Sequence, residues 1–149
     1  MNLCIRTVGC MALLALAAVS AATQNPAKFT ARLSRTAIDA AELSRVAGLG
    51  SVQAELNGTT LTIQGKFSGL LSPATKAHLD RGAEKGLRGR FMFELTASPS
   101  TEGTISGTIT LTTTQVNDLK LGRFYVQIDS EKAPDGNLWG WILSEEPRR

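Results

Sequence analysis

Between residues 51 and 67 the chain alternates strictly. Val52, Ala54 and Leu56 alternate with Gln53 and Glu55, and Leu61, Ile63, Gly65 and Phe67 alternate with Thr62, Gln64 and Lys66. Strand side chains point to opposite faces with period two. The pattern therefore predicts a hairpin with one face in a core, turning at Asn57-Gly58, two residues that tolerate positive φ. The same alternation recurs over residues 29–33, 76–80, 90–96, 104–112, 124–129 and 137–143. In 76–80, Ala77 and Leu79 point inward and His78 and Asp80 outward; in 90–96, Phe91, Phe93 and Leu95 are the inward set against Met92 and Glu94. Residues 113–121 lose the alternation and read as a short helix with a threonine start, stopped by Gly122. Residues 34–50 have helix formers without a clean period and read as a loop containing a helical turn. Seven or eight short strands at regular spacing predict an all-β domain, an antiparallel β-sandwich or barrel with one short helix.

The last two strands carry the most specific information. Phe124, Val126 and Ile128 alternate with Tyr125, Gln127 and Asp129; after a turn expected at residues 134–136, Leu138, Gly140 and Ile142 alternate with Trp139 and Trp141. A tyrosine, an amide, a carboxylate and both tryptophans of the chain should therefore share the outer face of one hairpin.

The N-terminus reads differently. Arg6, an apolar run from Met11 to Val19, and small residues at Ser20, Ala21 and Ala22 have the layout of a secretory signal peptide cleaved after Ala21 or Ala22. The run is too short to span a bilayer, which needs about 20 apolar residues. Both cysteines, Cys4 and Cys10, lie inside residues 1–22, so the mature chain is expected to be exported, to periplasm or medium, without disulfides. Residues 23–28 form a leader, 29–143 the domain and 144–149 a tail, enough for one domain and not two. The net charge of +3 falls to +2 without Arg6. No basic stripe with interleaved aromatics occurs, which argues against nucleic acid.

Several stretches in order resemble one family. They are FSGL at 67–70, AHL at 77–79, G-x-I-x-G-x-I at 103–109, LTTTQVNDLKLGRFYVQI at 111–128 and PDGNLWGWI at 134–142. Together they are similar to the CHRD domain, the module found in chordin and in many exported microbial proteins, across about residues 29–143. The resemblance implies an extracytoplasmic interaction domain. The growth-factor partner of chordin is not implied, because a lone domain behind such a signal peptide looks bacterial. Core-facing positions match the family pattern, and the departures lie on the other face. The pattern A-H-I-H is Ala77-His78-Leu79-Asp80 here, Y-V-N-I-H ends in Asp129, and an expected Arg and Gln are Trp139 and Trp141.

Two clusters follow as candidate sites. His78, Asp80 and Asp129 make one: three histidines would suit copper or zinc, whereas one histidine and two carboxylates suit Ca²⁺ or Mn²⁺, or a plain polar cluster paired with Arg81, Lys76 or backbone N–H groups. Tyr125, Gln127, Trp139 and Trp141 make the other. Exposed tryptophans anchor protein interfaces and stack on sugars. Buried beneath residues 34–50 or the helix, they would be a second small core. No nucleophile elbow G-x-S-x-G, catalytic Cys/His pair or phosphate-cradling glycine loop occurs; Gly82, Gly86 and Gly89 precede a strand and read as turn glycines. The expectation is a non-catalytic module without a required cofactor. Its partner is an extracytoplasmic protein contacted through the aromatic face, with carbohydrate as a further possibility. The alternative is a metal-binding protein, even one resembling a superoxide-dismutase sandwich, using His78, Asp80 and Asp129.

Overall fold

The computed structural model describes residues 25–36 and 40–145. The expected signal peptide with Cys4 and Cys10, and most of the expected tail, lie outside the described residues. The chain forms β1 (Ala27–Arg35), a 3₁₀ turn (Glu42–Ser44), β2 (Leu49–Asn57), β3 (Thr60–Ser68), β4 (Ala74–Arg81), β5 (Arg90–Ala97), β6 (Gly103–Thr110), α1 (Thr113–Lys120), β7 (Phe124–Ser130), β8 (Ala133–Trp141) and the two-residue β9 (Leu143–Ser144). All strand pairs are antiparallel, and the order β2-β3-β6-β5-β4-β7-β8-β1 closes through β1 pairing with β2. Eight strands thus make a closed barrel, with β9 beside β1.

The closure is uneven. β5 meets β6 only through Thr96 and Ala97, and β8 meets β1 only through Trp139 and Leu138. The long ladders lie elsewhere, so the barrel is flattened into two walls: β1-β2-β3-β6 and β5-β4-β7-β8. The expected inward residues fill the space between, among them Phe29, Leu33, Val52, Ile63, Leu79, Phe124, Ile128, Leu138 and Ile142. α1 starts on a capping box, with Thr112 and Gln115 each accepting the other's backbone N–H through its side chain, and sends Leu119 into the core. Gly122 follows it at φ +72°.

Three local readings need correction. The β2–β3 turn is Gly58-Thr59, because Asn57 pairs with Thr60; only Gly58 needs positive φ. The β7–β8 turn is Glu131-Lys132, because Ser130 pairs with Ala133. The Pro134-Asp135-Gly136 stretch is instead a bulge inside β8: Ile128 already pairs with Leu138, leaving 134–137 opposite Asp129. Proline has no ladder N–H to lose at such a place. Finally, Asp80 pairs with Phe91 while Leu79 pairs with Phe93, so Met92 is the extra residue of a bulge in β5. That turns Phe91 out of the core to 60% exposure, against the inward position its alternation predicts.

Candidate functional site

β7 is buried along its whole length. Its inward residues belong to the barrel core. Its outward residues Tyr125 (1% exposed), Gln127 (5%) and Asp129 (7%) are also closed off from water. The strand is central in its wall, with β4 on one side and β8 on the other. Register places Gln127 between His78 and Trp139, and Tyr125 between Asp80 and Trp141. The two candidate clusters are therefore one layer on the outer face of this wall.

His78 sits at its polar centre. Its Nδ1 donates to Asp80 Oδ1 at 2.6 Å and its Nε2 to Asp129 Oδ2 at 3.3 Å. Gln127 Nε2 donates to the other oxygen of Asp129 at 2.8 Å and to the carbonyl of Asp135 at 3.3 Å, inside the β8 bulge. Burial alone would lower the imidazole pKa; hydrogen bonds to Asp129 and Asp80, and their negative charge, outweigh it and raise the value to about 9. At neutral pH the ring is an imidazolium donating from both nitrogens.

The aromatic half is packed against it. Tyr125 lies 4.7 Å from the Trp141 ring and 5.9 Å from that of Trp139, and the two tryptophans are 6.3 Å apart. Both tryptophans are half-buried. Among the described residues, what meets them is the β4–β5 loop, residues 82–89, through Gly82 and Arg88. The Gly89 N–H donates to the Tyr125 hydroxyl at 3.1 Å, and Arg88 stands 5.7 Å from the Trp139 ring centre while donating to the Asp135 carbonyl at 2.9 Å. Gly86, at φ +90° with open space around it, is a turn glycine as expected, but Gly82 and Gly89 are needed for close packing. A Cβ on Gly82 would reach 2.8 Å from the Trp141 ring, and one on Gly89 would collide with the Arg81 carbonyl. Burial, with Asp80 alongside, raises the Tyr125 pKa despite the opposing Gly89 N–H. Ala47 instead meets the β8 bulge, where its carbonyl accepts from Asn137 at 2.7 Å.

All seven expected site residues thus come together, joined by three that sequence reasoning missed as site residues: Arg88, Gly89 and Phe91. Phe91 stands 5.8 Å from the His78 ring on the outer surface. Only the Gly82/Gly86/Gly89 spacing hinted at a loop held close to the sheet. Arg81, one of the suggested partners of Asp80 and Asp129, pairs elsewhere: Asp118 accepts from Arg81 Nε at 2.6 Å and from Arg123 Nη1 at 2.9 Å.

Chemically the layer is self-satisfied. No buried side-chain nitrogen or oxygen among the described residues lacks a hydrogen-bond partner. Both His78 nitrogens face carboxylates, so a metal at this place would have to displace an imidazole proton and the contact that it makes. As arranged, His78, Asp80 and Asp129 form an ion triad, and no group of three or more His, Cys, Asp or Glu among the described residues has a metal-holding arrangement.

No curated protein and no solved structure matches the chain. The model of the CHRD domain matches residues 29–142, from the first core residue of β1 to the isoleucine after β8. With the family-like positions forming the inward face of one closed barrel, the chain belongs to the CHRD domain family.

Proposed function

We propose that the protein is an exported, non-catalytic binding module that contacts a protein partner through the outer face of the β5-β4-β7-β8 wall. The observation that carries this reading is the division of labour on that face. Tyr125, Gln127, His78, Asp80 and Asp129 are consumed by one another, while Phe91 and the free edges of Trp139 and Trp141 reach solvent. Tyr125 and Gln127, expected as contact residues, serve in this reading as the support that fixes the aromatic edges. Rigid aromatic side chains held by a buried network are the kind of anchor that dominates protein interfaces. The polar groups are engaged with one another, His78 with Asp80 and Asp129 and Gln127 with Asp129, which leaves none poised for acid–base work and favours binding over catalysis. The reading requires no cofactor.

The test uses the mature chain as bait in envelope extract. Phe91→Ala, at an exposed position, and Trp139→Ala should each deplete the same captured protein, while Phe91→Ala leaves the unfolding temperature within a few degrees of wild type. Unchanged capture by a folded Phe91→Ala variant, with Trp139→Ala also unchanged, would sink the proposed face. For export, the N-terminal sequence of the protein recovered from its producing cells should begin at residue 22 or 23.

A further inference from the structure

At one end of the barrel, β4 finishes, β5 and β7 begin, and α1 ends. Three features bring its loops together: Arg81 pairs with both Arg90 and Phe124, Gly82 N–H bonds the Arg123 carbonyl at 2.9 Å, and Gly82 packs against the Leu87 backbone. Leu121 is two residues from Arg123. Residues 81–90 and 118–123 bring five cations to this end, Arg81, Lys85, Arg90, Lys120 and Arg123, against the carboxylates of Glu84 and Asp118, while Arg88 turns back to the Asp135 carbonyl and the Trp139 ring. Asp118 is buried between Arg81 and Arg123 and is not available to offset the rest. Leu87 and Leu121 stand exposed among these cations at 56% and 57%, and Phe91 follows Arg90 at 60%.

The opposite end offers a control within the same molecule. It also exposes leucines, Leu43 at 49%, Leu49 at 65% and Leu71 at 47%. Its charges, however, are mixed: Glu42, Glu102, Glu131 and Asp135 against Arg35, Arg45 and Lys132. Exposed apolar side chains alone therefore do not distinguish the helix end; their coincidence with unbalanced positive charge does. Lysine and arginine stems also reach past such side chains to present their charge at an interface.

We propose that the helix end of the barrel is a peripheral docking surface for an anionic lipid bilayer, with Lys85, Arg90 and Lys120 meeting headgroups and Leu87 and Leu121 entering the interface. One observation favours a bilayer over an acidic protein: exposed Leu87 lies two residues from Lys85, and exposed Leu121 follows Lys120, so each apolar side chain shares a short loop with a cation, as in surfaces that combine electrostatic attraction with shallow apolar insertion. The docking variants at Lys85, Arg90, Lys120, Leu87 and Leu121 leave Phe91, Trp139 and Trp141 in place, so this inference and the reading of the aromatic face are tested by different substitutions and either can fail alone.

Flotation of the purified mature chain with vesicles of phosphatidylcholine and phosphatidylglycerol, against pure phosphatidylcholine, tests this. Binding to the anionic vesicles at low salt, lost at high salt, is expected. Each basic residue at an anionic leaflet strengthens binding about fivefold, so Lys85→Gln, Arg90→Gln and Lys120→Gln combined should weaken it about 100-fold. Leu87→Ser with Leu121→Ser should weaken it further while leaving the unfolding temperature unchanged, since both positions are exposed. No binding to the anionic vesicles, or wild-type binding by the folded triple variant, overturns the proposal. So does a Leu87→Ser/Leu121→Ser variant that binds as wild type while soluble polyglutamate displaces the vesicles, because that result identifies an acidic polymer as the ligand.

Discussion

The two walls of the barrel use the same alternation to different ends. On β3 it has the simple meaning of core inside and water outside: Leu61, Ile63 and Phe67 are buried, and Thr62, Gln64 and Lys66 are exposed. The outer face there is a plain polar ladder, with Gln64 beside Gln53 and Ser106. On β7 the outward residues are as polar, yet all seven positions are buried. The difference is made by neighbours distant in sequence: loop 82–89 lies over β7, the β8 bulge bends toward it, and every polar group is provided with a partner. A polar strand face is thus surface on one wall and a second core on the other. Whether it closes depends on cover and hydrogen-bond completion, since burying such groups unpaired costs a few kcal/mol each.

The largest effect should come from the centre of that second core. His78→Ala leaves Asp80 and Asp129 buried without their cation, and breaking a buried ion pair by removing one partner costs about 3–5 kcal/mol. Lys66→Ala on the outer face of β3 should change stability by no more than about 0.5 kcal/mol. Urea unfolding of both variants measures the contrast. A His78→Ala cost under about 1 kcal/mol would mean that the β7 outer face is ordinary surface.

A pH titration of stability should separate the walls next. His78 is raised from 6.5 to about 9 in the folded state. Folding therefore favours the protonated ring, and its contribution is fully present below pH 6.5. It declines as pH rises toward 9 and is lost above it. Because the ring is partly reached by solvent, the full shift is discounted to about 2 kcal/mol across the window. Chemical denaturation at pH 6 and pH 9.5 should show that loss in wild type and in Lys66→Ala, and should show little of it in His78→Ala. Tyr125, shifted upward, titrates above this window.

How far these features are legible in the chain follows the same division. Alternation locates every strand of the first wall and, apart from Phe91, the inward face of the second, because a strand covered on one side only obeys a local rule. It also brought Tyr125, Gln127, Trp139 and Trp141 onto one face. It could not show that this face is covered, because the cover comes from a loop more than 30 residues away whose glycines look like turn residues. It misplaced Phe91, because one extra residue, Met92, reverses the alternation at a bulge that no local propensity marks. It misread Pro134-Asp135-Gly136 as the hairpin turn for a related reason: the same residue types serve turns and bulges, and only pairing across the strands distinguishes them. His78, Asp80 and Asp129 were recognisable as a cluster. That they form an ion triad depends on ring nitrogens both facing carboxylates, which spacing alone does not determine.

The smallest of the expected effects is the most direct comparison, since it uses one residue type on both walls. Gln64 and Gln127 each sit mid-strand on an outer face, each between two register partners. Gln64 is exposed, so truncation to alanine exchanges one solvated amide for water and should cost under about 0.5 kcal/mol. Gln127 donates to Asp129 and to the Asp135 carbonyl. Its truncation removes both bonds, leaves Asp129 to His78 alone and loosens the β8 bulge from β7, for about 1–1.5 kcal/mol at the usual net worth of such bonds. The pair should also differ in coupling. Gln127→Ala combined with His78→Ala should fall short of additivity, because both act on Asp129; Gln64→Ala combined with His78→Ala should be additive within about 0.5 kcal/mol. Equal costs for the two glutamines, or additivity in both cycles, would show that the Gln127 hydrogen bonds are incidental to a surface kept dry only by the loop above it.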